Sequence, residues 1–583
     1  MIRNYKLYSR FFRSKYGSTT SICASRCISI KPKYDVIIVG AGHNGLVAAA
    51  YLQKAGVDVC VLEKRHVIGG AAVTEEIIPE FKFSRASYLL SLFRPQIIND
   101  LDLKKYGLKV YLRNPSSYTP LREPGGLNGK TTSLTLGMDS TFNKQQIAQF
   151  SIKDSHNFEL YEEVLSKVVN CIEPLLDRVP IQVTRDIKQS LSAKKYDLQT
   201  VLAFLSSYKK TEQDLSTFYE LMTAPAIKIL DRWFESEPLK ATLATDSVIG
   251  AMLSPHSPGS GYVLLHHVMG ELEGVKGAWG YVEGGMGSVS TAISNCAVDH
   301  GARVLVNKCV EKINIENGRT KGVVLTTGTE IESNIVLSNA TPKVTFLDLV
   351  SDNCLSEDLV SELKQIDYKS PVTKINVAVN KVPNFLADPN TTSDCIMPHH
   401  QTTIHINCEH SDLIHRAYLD SQHDHYSKEP VIEMVIPSSL DKTISPPGSH
   451  VVLLFTQYTP YTLANGQKWD EKTKQDYANI VFDSIERYAP GFKDSIIGSD
   501  ILTPPDLENI IGLTGGNIFH GSMSLDQLYF SRPLSSLSNY KSPIKGLYLC
   551  GSGAHPGGGV MGSPGKLAAF KVLDDLKAKR IKK

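Results

Sequence analysis

The feature that most narrows the fold is a run of about thirty residues that starts at Tyr34 and carries the spacing of a dinucleotide-binding unit. Tyr34-Asp35-Val36-Ile37-Ile38-Val39 is a short apolar run of strand-forming residues. It leads into Gly40-Ala41-Gly42-His43-Asn44-Gly45, and then into Leu46 to Ala55, a good helix former that Gly56 ends. Val57 to Leu62 is a second strand pattern, with Glu63 at its end. Strand, GxGxxG, helix, strand and acid in this order open a doubly wound α/β sheet. Gly40 suits the tight turn, Gly42 lets the backbone approach a pyrophosphate, and Gly45 lets the helix lie close to the strand. The helix start offers N–H groups and a partial positive charge to phosphates. Glu63, eighteen residues after Gly45, stands where a ribose is read, and its charge disfavours a 2′-phosphate.

The 583-residue chain is long enough for two or three domains, and 42% hydrophobic with 21% charged residues is globular composition. No apolar run approaches the ~18 residues of a membrane-spanning helix. Residues 1–34 hold eight basic residues (Arg3, Lys6, Arg10, Arg13, Lys15, Arg26, Lys31, Lys33) and no acid. The remainder has 54 basic against 60 acidic residues, a net of −6, which argues against nucleic acid as a partner. The first thirty residues are basic and Ser-rich, without a continuous apolar core, which is transit-peptide composition. Residues 1–32 are therefore expected to be a mitochondrial transit segment, with the matrix as destination. An inner-membrane or respiratory-chain protein is then a candidate partner. The ten cysteines include no CxxC pair, and none lies between Cys60 and Cys171, so free thiols and no disulfide exchange are expected.

Beyond the ribose acid comes a Gly doublet, in Glu63-Lys64-Arg65-His66-Val67-Ile68-Gly69-Gly70-Ala71. Gly280 to Gly287 precedes a helical run, Ser288 to Val298. A strand pattern over Gly301 to Val310, a hairpin signal at Asn317-Gly318 with a returning strand at Gly322 to Leu325, and a strand at Asn334 to Leu337 follow. That last strand ends in Ser338-Asn339-Ala340-Thr341-Pro342. Near the end, the strand Gly546 to Cys550 runs into Gly551-Ser552-Gly553-Ala554-His555-Pro556-Gly557-Gly558-Gly559-Val560-Met561, and a helix over Lys566 to Leu576. Such a loop brings many backbone N–H groups to one ligand.

With these segments in this order, the chain after residue 33 resembles the FAD-dependent amine oxidase and phytoene desaturase superfamily. The resemblance implies a Rossmann-type FAD-binding domain of glutathione-reductase type, joined to a discontinuous α+β substrate domain. It implies FAD as cofactor. The FAD-binding domain would comprise 33–115, 273–345 and 505–583, and the substrate domain 116–272 and 346–504. By the same resemblance Gly40, Gly42, Gly45, Glu63, Lys64, Arg65, Gly69, Gly70 and Ala71 would hold the nucleotide and lead toward the ring. Val310 would meet the adenine, and Gly551, Gly558, Gly559, Val560 and Met561 would close over the ribityl chain and flavin.

The substrate domain reads as helices over 150–260, where Leu215, Phe218, Tyr219 and Met222 share one face that is expected to pack in the core, and Ile227, Leu230, Trp233 and Phe234 resume after Pro225. Strands are expected at Val372–Val379 and His450–Gln457, with a helix at 475–488. Seven histidines between His399 and His425 lack metal-ligand spacing, so no metal is expected. Candidate catalytic groups are Arg85, which follows the Gly doublet and either stabilises charge at the flavin or holds a carboxylate, and His520 and His555. A single GxGxxG leaves no room for a separate NAD(P)H domain, so the substrate itself is expected to reduce the flavin. An apolar or amine-type small molecule would lose hydride from a C–H bond to flavin N5. Two alternatives share the fold: a lipid-binding or scaffold protein of the Rab escort and GDP-dissociation inhibitor type, and a flavin isomerase without net redox.

Overall fold

The structure is a computed structural model that describes residues 30–180, 209, 215–392 and 395–581. The basic N-terminal segment, with its transit-peptide reading, lies outside the described residues.

One layer is a five-stranded parallel sheet ordered Arg303–Leu305, Val59–Leu62, Val36–Val39, Val336–Ser338, Leu547–Leu549. In chain order this is 3-2-1-4-5, the doubly wound arrangement, with its switch point at the carboxyl end of Val36–Val39. Four of these strands, all but Arg303–Leu305, are buried along their whole length, as a parallel sheet covered on both faces requires. The helix His43–Lys54 packs between Gly287–Asp299 and Ser563–Ile581. The sheet's strands come from three separated stretches of chain, so the domain closes only when its last strand returns after residue 540.

The second layer is a seven-stranded sheet ordered Ile496–Leu502, Val372–Val379, His450–Gln457, Val431–Val435, Thr403–Ile406, Ser117–Gly125, Thr131–Leu136. It is antiparallel except where Thr403–Ile406 runs parallel to Ser117–Gly125. The expected strands Val372–Val379 and His450–Gln457 form with those limits. The helix expected from 475 starts four residues earlier, at Glu471, because the Asp470 carboxylate accepts from the Thr473 N–H at 2.9 Å and caps it.

Two readings change. The single strand expected over Gly301 to Val310 is split, because Asn307 turns at φ 55°. Arg303–Leu305 joins the parallel sheet, and Val310–Glu316 begins a separate three-stranded antiparallel sheet. In the helix Leu215–Thr223, Leu221 is the buried residue, while Leu215 and Tyr219 are 43% and 68% exposed. The face at i, i+3, i+4, i+7 is thus divided: Phe218 and Met222 pack against the core, while Leu215 and Tyr219 do not.

Candidate active site

The loop Gly40–Gly45 folds tightly against the strand that follows the second domain crossing. A Cβ on Gly45 would lie 2.4 Å from the Gly40 carbonyl oxygen, and one on Gly42 would lie 2.6 Å from Asn339 Nδ2. At Gly45 the backbone leaves no room for a side chain, and at Gly42 a side chain would displace the Asn339 amide. Asn339, from the Asn-Ala-Thr-Pro turn, thus rests against the phosphate-loop glycines. Its backbone N–H donates to the Val39 carbonyl at 2.9 Å. The same residue meets the third segment, since a Cβ on Gly551 would lie 2.6 Å from its carbonyl oxygen. The Cys550 N–H donates to Ser338 O at 2.8 Å, and Asn44 Nδ2 donates to Ser552 Oγ at 3.0 Å. Asn339 is the hub that joins all three segments, and its role follows from tertiary packing rather than from spacing.

These residues fit a dinucleotide. The helix His43–Lys54 begins at Gly42 with no side-chain cap and no acid in its first turn, which leaves its N-terminus for phosphate. Glu63 is buried, and its carboxylate accepts from Ala41 N–H at 2.8 Å and Arg65 N–H at 2.9 Å. It is thereby fixed at the end of its strand. Val310 is brought alongside, because Asn307 and Lys308 donate to the carbonyls of Arg65 and Glu63 at 2.9 and 2.8 Å. Gly69 N–H donates to Ala41 O at 2.8 Å, and Gly42 bridges Gly69, so the doublet Gly69-Gly70 lies on the phosphate loop and Ala71 continues from it. Lys64 is exposed, while Arg65 reaches Glu75 at 2.7 Å and keeps a buried Nη1 without a partner. Gly558 lies against Phe519 and Gly559 against Leu92 and His266. Val560 turns at φ 58°, and Met561 accepts from Arg94 N–H at 3.1 Å.

The three residues singled out as candidate catalytic groups fare differently. Arg85 donates to both Asp500 oxygens at 3.0 and 3.2 Å and lies 3.4 Å from Glu75. Its charge is committed to two carboxylates, so the carboxylate-holding reading replaces the one at the flavin. His555 lies 2.9 Å from the Leu175 carbonyl through Nε2 and packs edge-on to Tyr529. It fastens the end of the helix Ile152–Leu176 to the Gly-rich loop and offers no free proton. His520 lies deep beside His43, with Nδ1 of one and Nε2 of the other buried and without partners. Burial lowers His43 to about 3 and His520 to about 4, so both are neutral imidazoles.

Sequence reading missed a group of buried polar residues on the large sheet. The register aligns Lys374, Phe455, Glu433 and His405 across four adjacent strands. Tyr88 lies over this row. Its ring packs on Phe455 at 5.7 Å and faces Lys374 Nζ at 5.4 Å, and its hydroxyl donates to Glu433 Oε2 at 2.8 Å. Asp246 caps the helix Glu237–Thr245 nearby. Burial pushes Glu433 and Asp246 up to about 7, and lowers Lys374 to about 7. Tyr88, Asp246 and His520 are crowded by neighbours yet each is only part-covered. The signal was present: each of Lys374, Glu433 and His405 is the one ionisable residue of a largely apolar strand, a placement that is rare without a purpose.

Among the described residues no three His, Cys, Asp or Glu side chains are grouped to hold a metal. The histidines between His399 and His425 are dispersed: His400 bonds the Pro383 carbonyl, His405 bonds Ser117, and His415 bonds Ser254. None of the eight described cysteines forms a disulfide. No described helix is long and apolar enough to cross a membrane.

Comparison with known proteins accords with this site. Residues 38–101 match an NAD(P)-binding Rossmann-like domain, and residues 103–563 match the flavin containing amine oxidoreductase family. The chain is 58% identical over 94% of its length to rat pyridine nucleotide-disulfide oxidoreductase domain-containing protein 2, covering 94% of that protein. It is 24% identical to a lycopene-forming phytoene desaturase from Pseudescherichia vulneris, covering 93% of this chain and 99% of the relative. Cyclohexylamine oxidase from Brevibacterium oxydans IH-35A has the same fold, with a TM-score of 0.53 at 15% identity over 94% of this chain and 100% of that one. The rat protein's name speaks of disulfides, but this chain has no cysteine between Cys60, in the second strand of the unit, and Cys171. A parallel sheet ordered 3-2-1-4-5, a phosphate loop clasped by Asn339 and a Gly-rich closing loop before the last helix are what this fold uses to hold FAD, and the chain belongs to the flavin containing amine oxidoreductase family, as an FAD-dependent oxidoreductase.

Proposed function

We propose that this chain is a mitochondrial desaturase or dehydrogenase that supports mitochondrial function, taking hydride from a C–H bond of an apolar or amine-bearing small molecule and leaving a C=C or C=N bond. The observation that carries this reading is that three segments close one dinucleotide site among the described residues, while Tyr88, Asp246 and His520 are left part-covered. A substrate placed there needs no second nucleotide to deliver electrons. When bound, FAD supplies the two-electron acceptor. The residues around the site do the rest. Asn339, Asn44 and Ser552 hold the loops in register, and the apolar wall of Ile518, Phe519 and Phe455 excludes water from the reacting carbon. The printed names of the relatives favour the two substrate types: phytoene desaturase acts on a hydrocarbon and cyclohexylamine oxidase on an amine. The transit-type composition of the first thirty residues supports the mitochondrial matrix, where an inner-membrane or respiratory-chain protein is the proposed contact, and the net charge of −6 beyond the basic N-terminal residues argues against nucleic acid.

The test is anaerobic titration of the purified yellow protein with fractionated mitochondrial extract. Bleaching of the flavin bands by one fraction, reversed on admitting an electron acceptor, is the expected result. A protein that carries flavin but is bleached by no fraction, lipid or amine, contradicts the proposal.

A further inference from the structure

The large sheet carries an acid–base device that the hydride reaction does not by itself call for. Tyr88 is tied to the flavin side of the site: the neighbouring Ser87 donates to the Ala71 carbonyl through both its N–H, at 3.0 Å, and its hydroxyl, at 2.8 Å. From that position the Tyr88 hydroxyl donates to Glu433 Oε2 at 2.8 Å. Glu433 is buried, whereas Tyr88 is only part-covered. One end of the pair is therefore accessible, and the other is sealed in protein.

We propose that Tyr88 and Glu433 form the proton-accepting pair of the reaction, Tyr88 touching the substrate and Glu433 storing the proton. This rests on the hydride reading of the site. In the forward step the substrate C–H bond breaks and its electron pair leaves with the hydrogen to the bound FAD. The proton on the adjacent atom passes to the Tyr88 oxygen, while the Tyr88 proton passes to the Glu433 carboxylate. The substrate gains a double bond, the cofactor gains two electrons, and Glu433 ends protonated. A quinone or dioxygen then takes the electron pair, and Glu433 releases its proton.

The surroundings suit a base poised near neutrality. Burial opposes the Glu433 anion, while the Tyr88 hydroxyl and Arg113, 2.8 Å from Thr403 and over the Tyr281 ring, favour it. His405 stands 4.0 Å from Glu433, held neutral by burial at about 3. Lys374 lies across the Tyr88 ring, and Cys408 is a buried thiol with its ionisation pushed well up. Burial and the Glu433 charge raise Asp246 to about 7 as well.

A test that needs no substrate is potentiometry of the FAD-loaded protein from pH 5.5 to 8.5. A proton store beside the cofactor bends the plot of midpoint potential against pH near neutrality. Asp246 and reduced flavin itself also bend the plot near neutrality, so the comparison is made in an Asp246→Asn background. Adding Glu433→Gln is expected to change the shape of the plot across this range, and superimposable plots overturn the pair. Should that variant fail to fold, the reduced-minus-oxidised infrared difference spectrum of the wild type at pH 8 decides. A new protonated-carboxyl band on reduction supports the assignment, and its absence refutes it. With cyclohexylamine as probe, Tyr88→Phe is expected to slow anaerobic flavin reduction by about 100-fold or more, and an unchanged rate removes Tyr88 from the step. Failure of these tests in a protein that holds FAD and is bleached by a metabolite sinks the pair alone. A protein that holds no flavin sinks the parent reading.

Discussion

The Asn44 side-chain amide donates to the Ser552 hydroxyl at 3.0 Å, joining the first glycine loop to the last across 508 positions of sequence. Both groups are buried. The bond therefore ties loops that a ligand must hold from both sides, and closing the nucleotide domain and forming the cofactor site become one event.

Asn44→Ala removes this bond and leaves the Ser552 hydroxyl to find another partner. Loss of a neutral hydrogen bond costs about 1 kcal/mol, so FAD affinity is expected to fall about fivefold with the fold intact. Fluorescence of released flavin on dilution measures this. Gly45→Val is a harsher change, because its Cβ would overlap the Gly40 carbonyl. It is expected to yield protein without bound FAD.

Glu63 is fixed by two backbone N–H groups of its own chain. Glu63→Gln keeps the shape but loses the charge and one acceptor. A charge-assisted hydrogen bond contributes about 1.5–3 kcal/mol, so FAD binding is expected to weaken at least tenfold in a calorimetric titration. Unchanged affinity would place the ribose elsewhere.

Arg532 is fully buried, and its guanidinium donates to the carbonyls of Phe519, Gly521, Ser522, Gln527 and Ser552. It holds the His520 segment against the Gly-rich loop. Arg532→Ala strands these carbonyls, and the expected loss is about 3–5 kcal/mol, the scale of breaking a buried charged network. Arg532→Lys is expected to rescue little, since an ammonium cannot reproduce the planar fork. Thermal unfolding with and without added FAD reads both.

The protein stripped of flavin is expected to lose stability in acid. Burial holds His43, His400 and His405 down to about 3, and His399, His520 and His555 down to about 4. An unfolded histidine takes its proton near 6.5. Between 6.5 and about 4 the unfolded chain therefore binds more protons, and each histidine lowers stability by about 1.4 kcal/mol per pH unit as pH falls. Glu433, Asp246 and Glu162, raised to about 7, act in the opposite direction over much of that range, because the native state holds their protons first. Six histidines outweigh three carboxyl groups, so Tm is expected to drop steadily from pH 6.5 to pH 5. A flat profile would contradict the neutral buried histidines.

Much of the nucleotide domain was legible because its signals are local. Gly40, Gly42 and Gly45 sit at fixed spacing between two apolar runs, and Gly558 and Gly559 stand between a strand and a helix. What a sequence does not display is register. Lys374, Glu433 and His405 are brought into one row only by strand pairing, and Tyr88 reaches it from a segment 345 positions before Glu433. Arg85 and His555 were legible as polar groups near the cofactor loops, but their partners Asp500 and Leu175 come from distant elements. The lone ionisable residue in an apolar strand was the one available hint of the second layer's chemistry.

The most direct test is the flavin content of the purified protein. Separated loops that form one site predict a yellow protein with one FAD per chain, released on denaturation and regained on adding FAD, and absent from Gly45→Val. A folded wild-type chain that stays colourless in excess FAD, and shows no binding by calorimetry, would contradict the account.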